Sequence, residues 1–276
     1  MGEELILADV PQLDGKVALV TGAAQGIGRA IAVAMARQGA AAVALADRDE
    51  ASAAGTADEV RAHGCAAEVI GVDLRDATEV EAMVDRAAAT FGGLDVLVNN
   101  AGVIDTAFAP AGQCTVDQLP EAAWDAVHGV NLKAVWLTTK HAAPWLRRSR
   151  RGPSIVNGAS VSGLTGIEGG PAYGTTKAAV IHLTRLTAID LAPDVRCNCI
   201  CPGIIETPMA RAFIDAAEDP ATKARQMTSE HLITRLGRPE EIAGLACYLA
   251  SDGAGFITGA TFVADGGVSA WRGHRE

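Results

Sequence analysis

The sequence predicts an α/β protein with one domain, built on a doubly wound parallel sheet of about seven strands with helices on both faces. Two observations predict this fold. Short apolar runs that end in Gly, Asp or Asn alternate with longer segments whose apolar residues recur at intervals of three and four. This alternation extends from Lys16 to Asp265 without a linker rich in Pro, Ser or charge, so all 276 residues are assigned to one domain.

The strands that this alternation predicts lie at about 16–21, 42–47, 67–72, 94–99, 153–158, 195–200 and 260–264. They leave a short N-terminal extension, 1–12, and a C-terminal tail, 269–276, outside the sheet. The first connecting segment places Ile27, Ile31 and Met35 on one helical face, and Gly39 follows it. A helix packed on the sheet is therefore predicted between the first two strands.

The charge of the chain excludes two classes of partner. A formal net charge of -10 argues against nucleic acids and membranes, because nonspecific binding to nucleic acids or anionic membranes needs clustered Lys and Arg. One basic cluster is present: Arg147, Arg148, Arg150 and Arg151. It is interpreted as the solvated end of a helix, where cations suit the negative end of the dipole, and a docking patch for an acidic carrier protein stays open as the alternative.

The N-terminal residues lack the basic start and long apolar stretch of a secretory signal, and no run reaches the ~20 apolar residues of a membrane span. We therefore expect a cytoplasmic protein whose six cysteines stay reduced. Cys197, Cys199 and Cys201 are spaced like thiolate metal ligands, but same-face neighbours on a strand lie ~6.6 Å apart, too far for one zinc ion. No metal site is expected, and the three are predicted to be buried strand residues.

Polar or small residues directly follow the predicted strands: Gly22, Asp47, Asp73, Asn99, Ser160 and Pro202-Gly203. The carboxyl ends of parallel strands meet at one edge of the sheet, and ligands of open α/β sheets bind at that edge. The turn from Thr21 to Gly28 can bring its backbone close to a pyrophosphate at a helix N-terminus. Its glycines could instead serve only close packing, but Asp47 favours the nucleotide interpretation, because its carboxylate can accept both ribose hydroxyls of an adenosine.

Tyr173 and Lys177 are four residues apart at the start of a predicted helix, so they share one face. A neighbouring ammonium favours the phenolate, and we expect Lys177 to lower the pKa of Tyr173. The other tyrosine, Tyr248, has Asp252 four residues later and no such activation. Ser160 ends the fifth strand. Asn131 lies in an apolar helix, where a buried amide needs hydrogen-bond partners and therefore indicates a specific role.

The order and spacing of these elements resemble the short-chain dehydrogenase/reductase family over about residues 13–268. The resemblance implies a Rossmann-type sheet and four catalytic residues. Tyr173 is the expected proton donor and acceptor, Ser160 holds the substrate oxygen, Lys177 bonds the nicotinamide ribose, and Asn131 keeps a water in the proton relay. The cofactor residues that the turn, Asp47 and the resemblance together predict are Gly22, Gln25, Gly26, Ile27, Gly28, Asp47, Arg48, Asp73, Leu74, Asn99, Ala101, Gly102, Tyr173, Lys177, Pro202, Gly203, Ile205 and Thr207.

The predicted function is the interconversion of a secondary alcohol and a ketone with NAD, which Asp47 favours over NADP. A 3-oxoacyl carrier-protein reductase, a methyltransferase and a non-enzymatic dinucleotide sensor are the alternatives. The segment from Thr207 to Leu232 is expected to cover the site as a lid with Met209, Phe213, Ile214 and Met227, which favours a largely apolar small-molecule substrate. The resemblance, with the apolar segments around Trp136 and Ala179, also implies a homotetramer.

Overall fold

A computed structural model describes residues 12–215, 217, 219–229 and 231–271 of the chain. In this part of the chain seven parallel strands form one sheet in the order β3-β2-β1-β4-β5-β6-β7. The strands are β1 (Val17–Thr21), β2 (Ala42–Asp47), β3 (Ala66–Gly71), β4 (Val96–Asn99), β5 (Ser154–Gly158), β6 (Arg196–Pro202) and β7 (Thr261–Ala264). The predicted doubly wound parallel sheet is confirmed.

The strand boundaries differ from the predicted ones by at most two residues, and β2 matches its predicted range. β6 continues to Pro202 because it pairs with β7 up to the partners Pro202 and Ala264. Its cysteines Cys197, Cys199 and Cys201 are buried, as predicted for strand residues. The N-terminal extension up to residue 11 and the tail from residue 272 lie outside the described residues.

Helices cover both faces of the sheet. They are α1 (Gly26–Arg37), α2 (Glu50–Ala62), α3 (Ala77–Phe91), α4 (Glu121–His128), α5 (Ala134–Leu146), α6 (Pro171–Leu191), α7 (Pro208–Asp215), α8 (Pro220–Ser229) and α9 (Pro239–Ala250). Side chains of β1 alternate between two cores: Ala18 and Val20 pack with α1, α2 and α9, and Val17 and Leu19 pack with α3, α5 and α6. The sheet is therefore buried on both sides, which explains its nearly continuous apolar strands.

Asn131 lies in a helical segment, as predicted, but not in a regular α-helix. It lies in a π-helical turn, Gly129–Lys133, between α4 and α5. Such turns widen a helix locally and often occur at functional sites. Here the turn places the Asn131 side chain, which is fully buried, beneath the loop that follows β4.

The basic cluster lies at the far edge of the sheet from the predicted site. α5 ends at Leu146, and Arg147 and Arg148 donate to the carbonyls of Asp190 and Pro144. The chain then enters β5 at its amino end, next to Asp95, which lies 4.0 Å from Arg151. The cluster thus lies at the end of a helix, as expected. No helix within the described ranges is long and apolar enough to cross a membrane.

Candidate active site

Strand order reverses between β1 and β4, so the turns after these strands flank one crevice. Gly22, after β1, has φ +66°, and a Cβ there would lie 2.8 Å from the Ala101 Cα. A Cβ on Gly28 would lie 2.0 Å from the Gly22 carbonyl oxygen. Close packing alone therefore explains why both residues are glycine. It also brings the N-terminus of α1 to the crevice, where Gln25 makes no side-chain cap and the first turn has no acidic residue, which suits an anionic pyrophosphate.

The loop after β4 forms the floor of the crevice, and hydrogen bonds from β1 fix it. The Thr21 hydroxyl accepts from the backbone N–H groups of Asn100 (3.1 Å) and Ala101 (3.2 Å). The Asn100 side chain donates to the carbonyls of Thr21 and Gly22. The Asn99 side chain instead points to the face of the sheet that α5 covers, where it donates to the Asn157 Oδ1 at 2.9 Å. Asn100, which sequence reasoning left unassigned, therefore lines the crevice in place of Asn99.

A cluster of charges lies at the ends of β2 and β3. The Asp47 carboxylate is half-buried and accepts at 3.0 Å from the backbone N–H groups of Ala24 and Asp49. Arg75 donates to both oxygens of Asp73 and holds the pKa of that carboxyl down, to about 2. The exposed Arg48 also lowers the pKa of Asp73 through its charge. Arg75 is thus paired with a carboxylate, whereas Arg48 acts on Asp73 only through its charge.

The Tyr173 and Lys177 side chains share one face of α6, beside Ser160, as the spacing predicts. The Lys177 Nζ donates to the Gly158 carbonyl at 2.7 Å and lies 5.6 Å from the centre of the Tyr173 ring. Burial lowers the pKa of Lys177 to about 8. A Cβ on Gly102 would lie 3.3 Å from this ammonium, so glycine keeps the space between Lys177 and the floor open.

The expected lowering of the Tyr173 pKa is wrong. Burial raises the pKa of Tyr173, and a hydrogen bond with Ser160 opposes this rise only in part. The ammonium of Lys177, which donates to the Gly158 carbonyl and lies 5.6 Å from the centre of the ring, does not offset the desolvation of the phenol. The raised pKa favours the protonated phenol, which is the form that donates a proton to a ketone.

The Asn131 side chain ties the floor of the crevice to α6. Its amide oxygen accepts from the Val103 N–H, and its amide nitrogen donates to the Val103 carbonyl, both at 2.9 Å. The same nitrogen donates to the Thr176 hydroxyl at 3.2 Å. Asn131 thus makes three hydrogen bonds with protein groups, between the glycine-containing floor and the helix of Tyr173.

These elements enclose a cavity of about 790 Å³, a size that suits a dinucleotide together with a small substrate. Every predicted site residue lines it except Gly28, Asn99 and Asn131. α7 and α8 cover it, and Met209, Phe213 and Met227 line its wall, whereas Ile214 does not. No cluster of three or more His, Cys, Asp or Glu residues that could hold a metal occurs in the ranges that the structure describes.

Comparisons with known proteins agree with this arrangement. A family model described as enoyl-(acyl carrier protein) reductase matches residues 22–269. The chain is 39% identical to the 3beta-hydroxysteroid dehydrogenase 2 of Eggerthella lenta, with 95% of this chain and 97% of the relative covered. It is 35% identical to the 3-oxoacyl-[acyl-carrier-protein] reductase of Thermotoga maritima, with 93% and 99% covered. A crystal structure of a short-chain type dehydrogenase/reductase from Mycobacterium marinum superimposes with a TM-score of 0.86 at 33% identity, covering 96% of this chain and all of that one.

Proposed function

Since the chain belongs to the short-chain dehydrogenase/reductase family, we propose that it interconverts a secondary alcohol and a ketone with NAD, using Tyr173 as general acid and base. Family membership makes it an oxidoreductase that acts on CH–OH groups. The observation that carries the finer proposal is one cavity that holds Tyr173, Ser160 and Lys177 beside the open N-terminus of α1. A non-enzymatic sensor or a methyltransferase has no need of such a proton-transfer set.

Each residue has a role that follows from its position. The bound dinucleotide supplies or accepts the hydride. In ketone reduction the Tyr173 hydroxyl donates its proton to the substrate oxygen, which Ser160 holds by a second hydrogen bond. The ammonium of Lys177 stabilises the phenolate that this transfer leaves, and its remaining donors are available to the nicotinamide ribose. In alcohol oxidation the phenolate takes the hydroxyl proton.

The preference for NAD rests on the charges around the adenosine ribose. The Asp47 carboxylate has lone pairs left for the ribose hydroxyls after it accepts from Ala24 and Asp49. A 2′-phosphate at that position would meet like charge. Arg48 could attract such a phosphate, but its charge is partly neutralised by Asp73 and Asp49.

The substrate that the cavity suits is a largely apolar secondary alcohol. Its wall beyond Tyr173 includes Met209, Phe213, Met227, Ile167 and Phe108. The carrier-protein substrate is less favoured, because the basic cluster that suggested it lies at the amino edge of the sheet, away from the mouth of the cavity.

The proposed assembly is a homotetramer, and two exposed apolar surfaces support it. One surface runs along α5 and α6, where Trp136, Leu186 and Ile189 are exposed, Ile189 by 71%. The other is the edge strand β7, with the exposed Val263. Light scattering should give the mass of four chains, and a stable monomer at micromolar concentration would contradict the proposal.

The reaction is tested by a spectrophotometric screen with both nicotinamide cofactors. The panel includes 2-propanol, cyclohexanol, 1-phenylethanol, a 3β-hydroxysteroid, an aldohexose and a 3-oxoacyl thioester. We expect reduction of NAD with the apolar secondary alcohols. Turnover of the 3-oxoacyl thioester alone, with NADPH, would contradict both the substrate and the cofactor.

A further inference from the structure

A buried carboxylate lies between the cofactor side of the cavity and the helix that carries Tyr173. Asp105 begins the short 3-10 turn Asp105–Ala107 after the floor loop, and its side chain is 1% exposed. Its Oδ1 accepts from the Ala172 N–H and its Oδ2 from the Tyr173 N–H, both at 3.0 Å. Each carboxylate oxygen thus binds a backbone group in the first turn of α6.

α6 cannot provide this cap from its own residues. The residue at its N-cap position is Gly170, which has no side chain, and Pro171, the first helical residue, has no N–H. The first-turn N–H groups of Ala172 and Tyr173 need an acceptor, because a buried and unpaired N–H is destabilising. A carboxylate at a helix N-terminus also interacts favourably with the helix dipole.

The segment that carries Asp105 is also the floor of the cavity. Two residues before Asp105, Val103 is held by Asn131 through both its N–H and its carbonyl. Gly102, which precedes Val103, lies against the ammonium of Lys177. Hydrogen bonds therefore connect the floor to α6 at two places, Asn131 and Asp105.

We propose that Asp105 is a positioning residue: it fixes the start of α6, and with it the Tyr173 phenol, relative to the floor that would hold the nicotinamide. This inference rests on the proposed function, in which Tyr173 transfers the proton. A misplacement of about 1 Å at a reacting group reduces turnover by about 10²-fold. Loss of Asp105 should therefore lower kcat while the adenosine half of the dinucleotide, bound far from Asp105 at Asp47, keeps its affinity.

The test compares Asp105→Asn with a matched buried carboxylate at the opposite edge of the sheet. An amide can accept only one of the two N–H groups, and its NH₂ faces the other. Asp95 is the control, because it is 3% exposed and accepts from the Val17 N–H at 2.8 Å, far from the cavity. Both variants, with wild type and Tyr173→Phe, are assayed with 1-phenylethanol and NAD. Each protein is assayed at the same number of degrees below its own melting temperature.

We expect Asp105→Asn to lower kcat about 10- to 100-fold, with the Kd of NAD changed less than about threefold. Asp95→Asn should lower the melting temperature and leave kcat within about threefold of wild type. Asp105→Asn with wild-type kcat, or equal losses in both Asp variants, overturns the positioning role. If Tyr173→Phe stays active, the proposed function fails instead, so the two failures are distinguishable.

A second pair of variants applies if Asp105→Asn does not fold. In Asp105→Ala with Gly170→Ser, the new hydroxyl at the N-cap position can accept a first-turn N–H. A Cβ on Gly170 lies 2.7 Å from the end of the Ile167 side chain, which can move aside. A double variant that regains the wild-type melting temperature while its kcat stays at least about tenfold below wild type supports the positioning role, because the new hydroxyl caps α6 without joining it to the floor. Wild-type kcat in the double variant shows that capping alone is enough and contradicts the positioning role.

Discussion

Replacing Asp47 by Ser is expected to weaken the discrimination between NAD and NADP. The Asp47 carboxylate is half-buried at the end of β2, where it would face the 2′ position of the adenosine ribose. Two unit charges ~4 Å apart interact with about 1 kcal/mol in water and about 4 kcal/mol at the effective dielectric constant of a protein surface. Each ~1.4 kcal/mol is a factor of ten, so wild type should prefer NAD by at least about tenfold in kcat/KM.

The substitution also removes hydrogen bonds, and the ratio of the two cofactors separates that loss from the charge. A serine hydroxyl cannot accept from both the Ala24 and the Asp49 N–H groups, as Asp47 does, so both cofactors should bind more weakly. The loss of charge affects NADP alone. We expect the ratio of kcat/KM for NAD to that for NADP to fall at least about fivefold in Asp47→Ser.

Arg48→Ala is the companion variant, measured with both cofactors at saturating alcohol. Arg48 is exposed, and the interaction of an exposed charge with a phosphate is screened by solvent, so its removal should change NADP activity by less than about threefold. The reasoning is refuted if wild type uses NADP as well as NAD. It is also refuted if Arg48→Ala abolishes NADP activity while Asp47→Ser leaves the ratio unchanged.

Three further predictions concern packing, pH and metals. Gly28→Ala should lower the melting temperature and the NAD affinity, because its Cβ would lie 2.0 Å from the Gly22 carbonyl. Gly55→Ala, whose Cβ meets no atom within 4 Å, lies inside α2 and should leave the NAD affinity unchanged and not lower the melting temperature. Lys177→Met should be more stable relative to wild type at pH 7 than near pH 10. The pKa of Lys177 is about 8 in the folded protein and about 10.4 in the unfolded chain. The buried charge therefore destabilises wild type by up to about 3 kcal/mol below pH 8, and this effect disappears as the pH rises from about 8 to about 10.4. Lys133→Met, at an exposed position, is the control. Metal analysis of the purified protein should find no stoichiometric zinc or iron, and a bound metal lost together with activity would overturn the assignment of the cysteines as packing residues.

Local patterns explain why the fold and much of the site could be predicted. A spacing of four residues is enough to put Tyr173 and Lys177 on one helix face, and this does not depend on contacts with the rest of the chain. Likewise, glycine, aspartate and asparagine at strand ends reach one edge of any parallel sheet. These features need only the periodicity of a single element, which the sequence displays directly.

The features that were missed depend on contacts between distant segments. Asp105 caps α6 from 67 positions away, and no pattern near either residue signals this. Asn99 and Asn100 differ in their hydrogen bonds to other segments: Asn99 donates to Asn157, and Asn100 donates to the carbonyls of Thr21 and Gly22. The pKa of Tyr173 depends on how deeply the phenol is buried, which periodicity does not specify.

The most direct test of the central claim is the turnover of Tyr173→Phe with NAD and an alcohol that wild type oxidises. This substitution removes only the phenolic oxygen and leaves Lys177 and the glycine turn in place. A general acid–base group contributes about 10² to 10⁴-fold, so kcat should fall by that factor while the Kd of NAD stays within about twofold. A Tyr173→Phe enzyme that keeps more than about a tenth of the wild-type kcat would contradict the assignment of Tyr173 as the proton donor and acceptor.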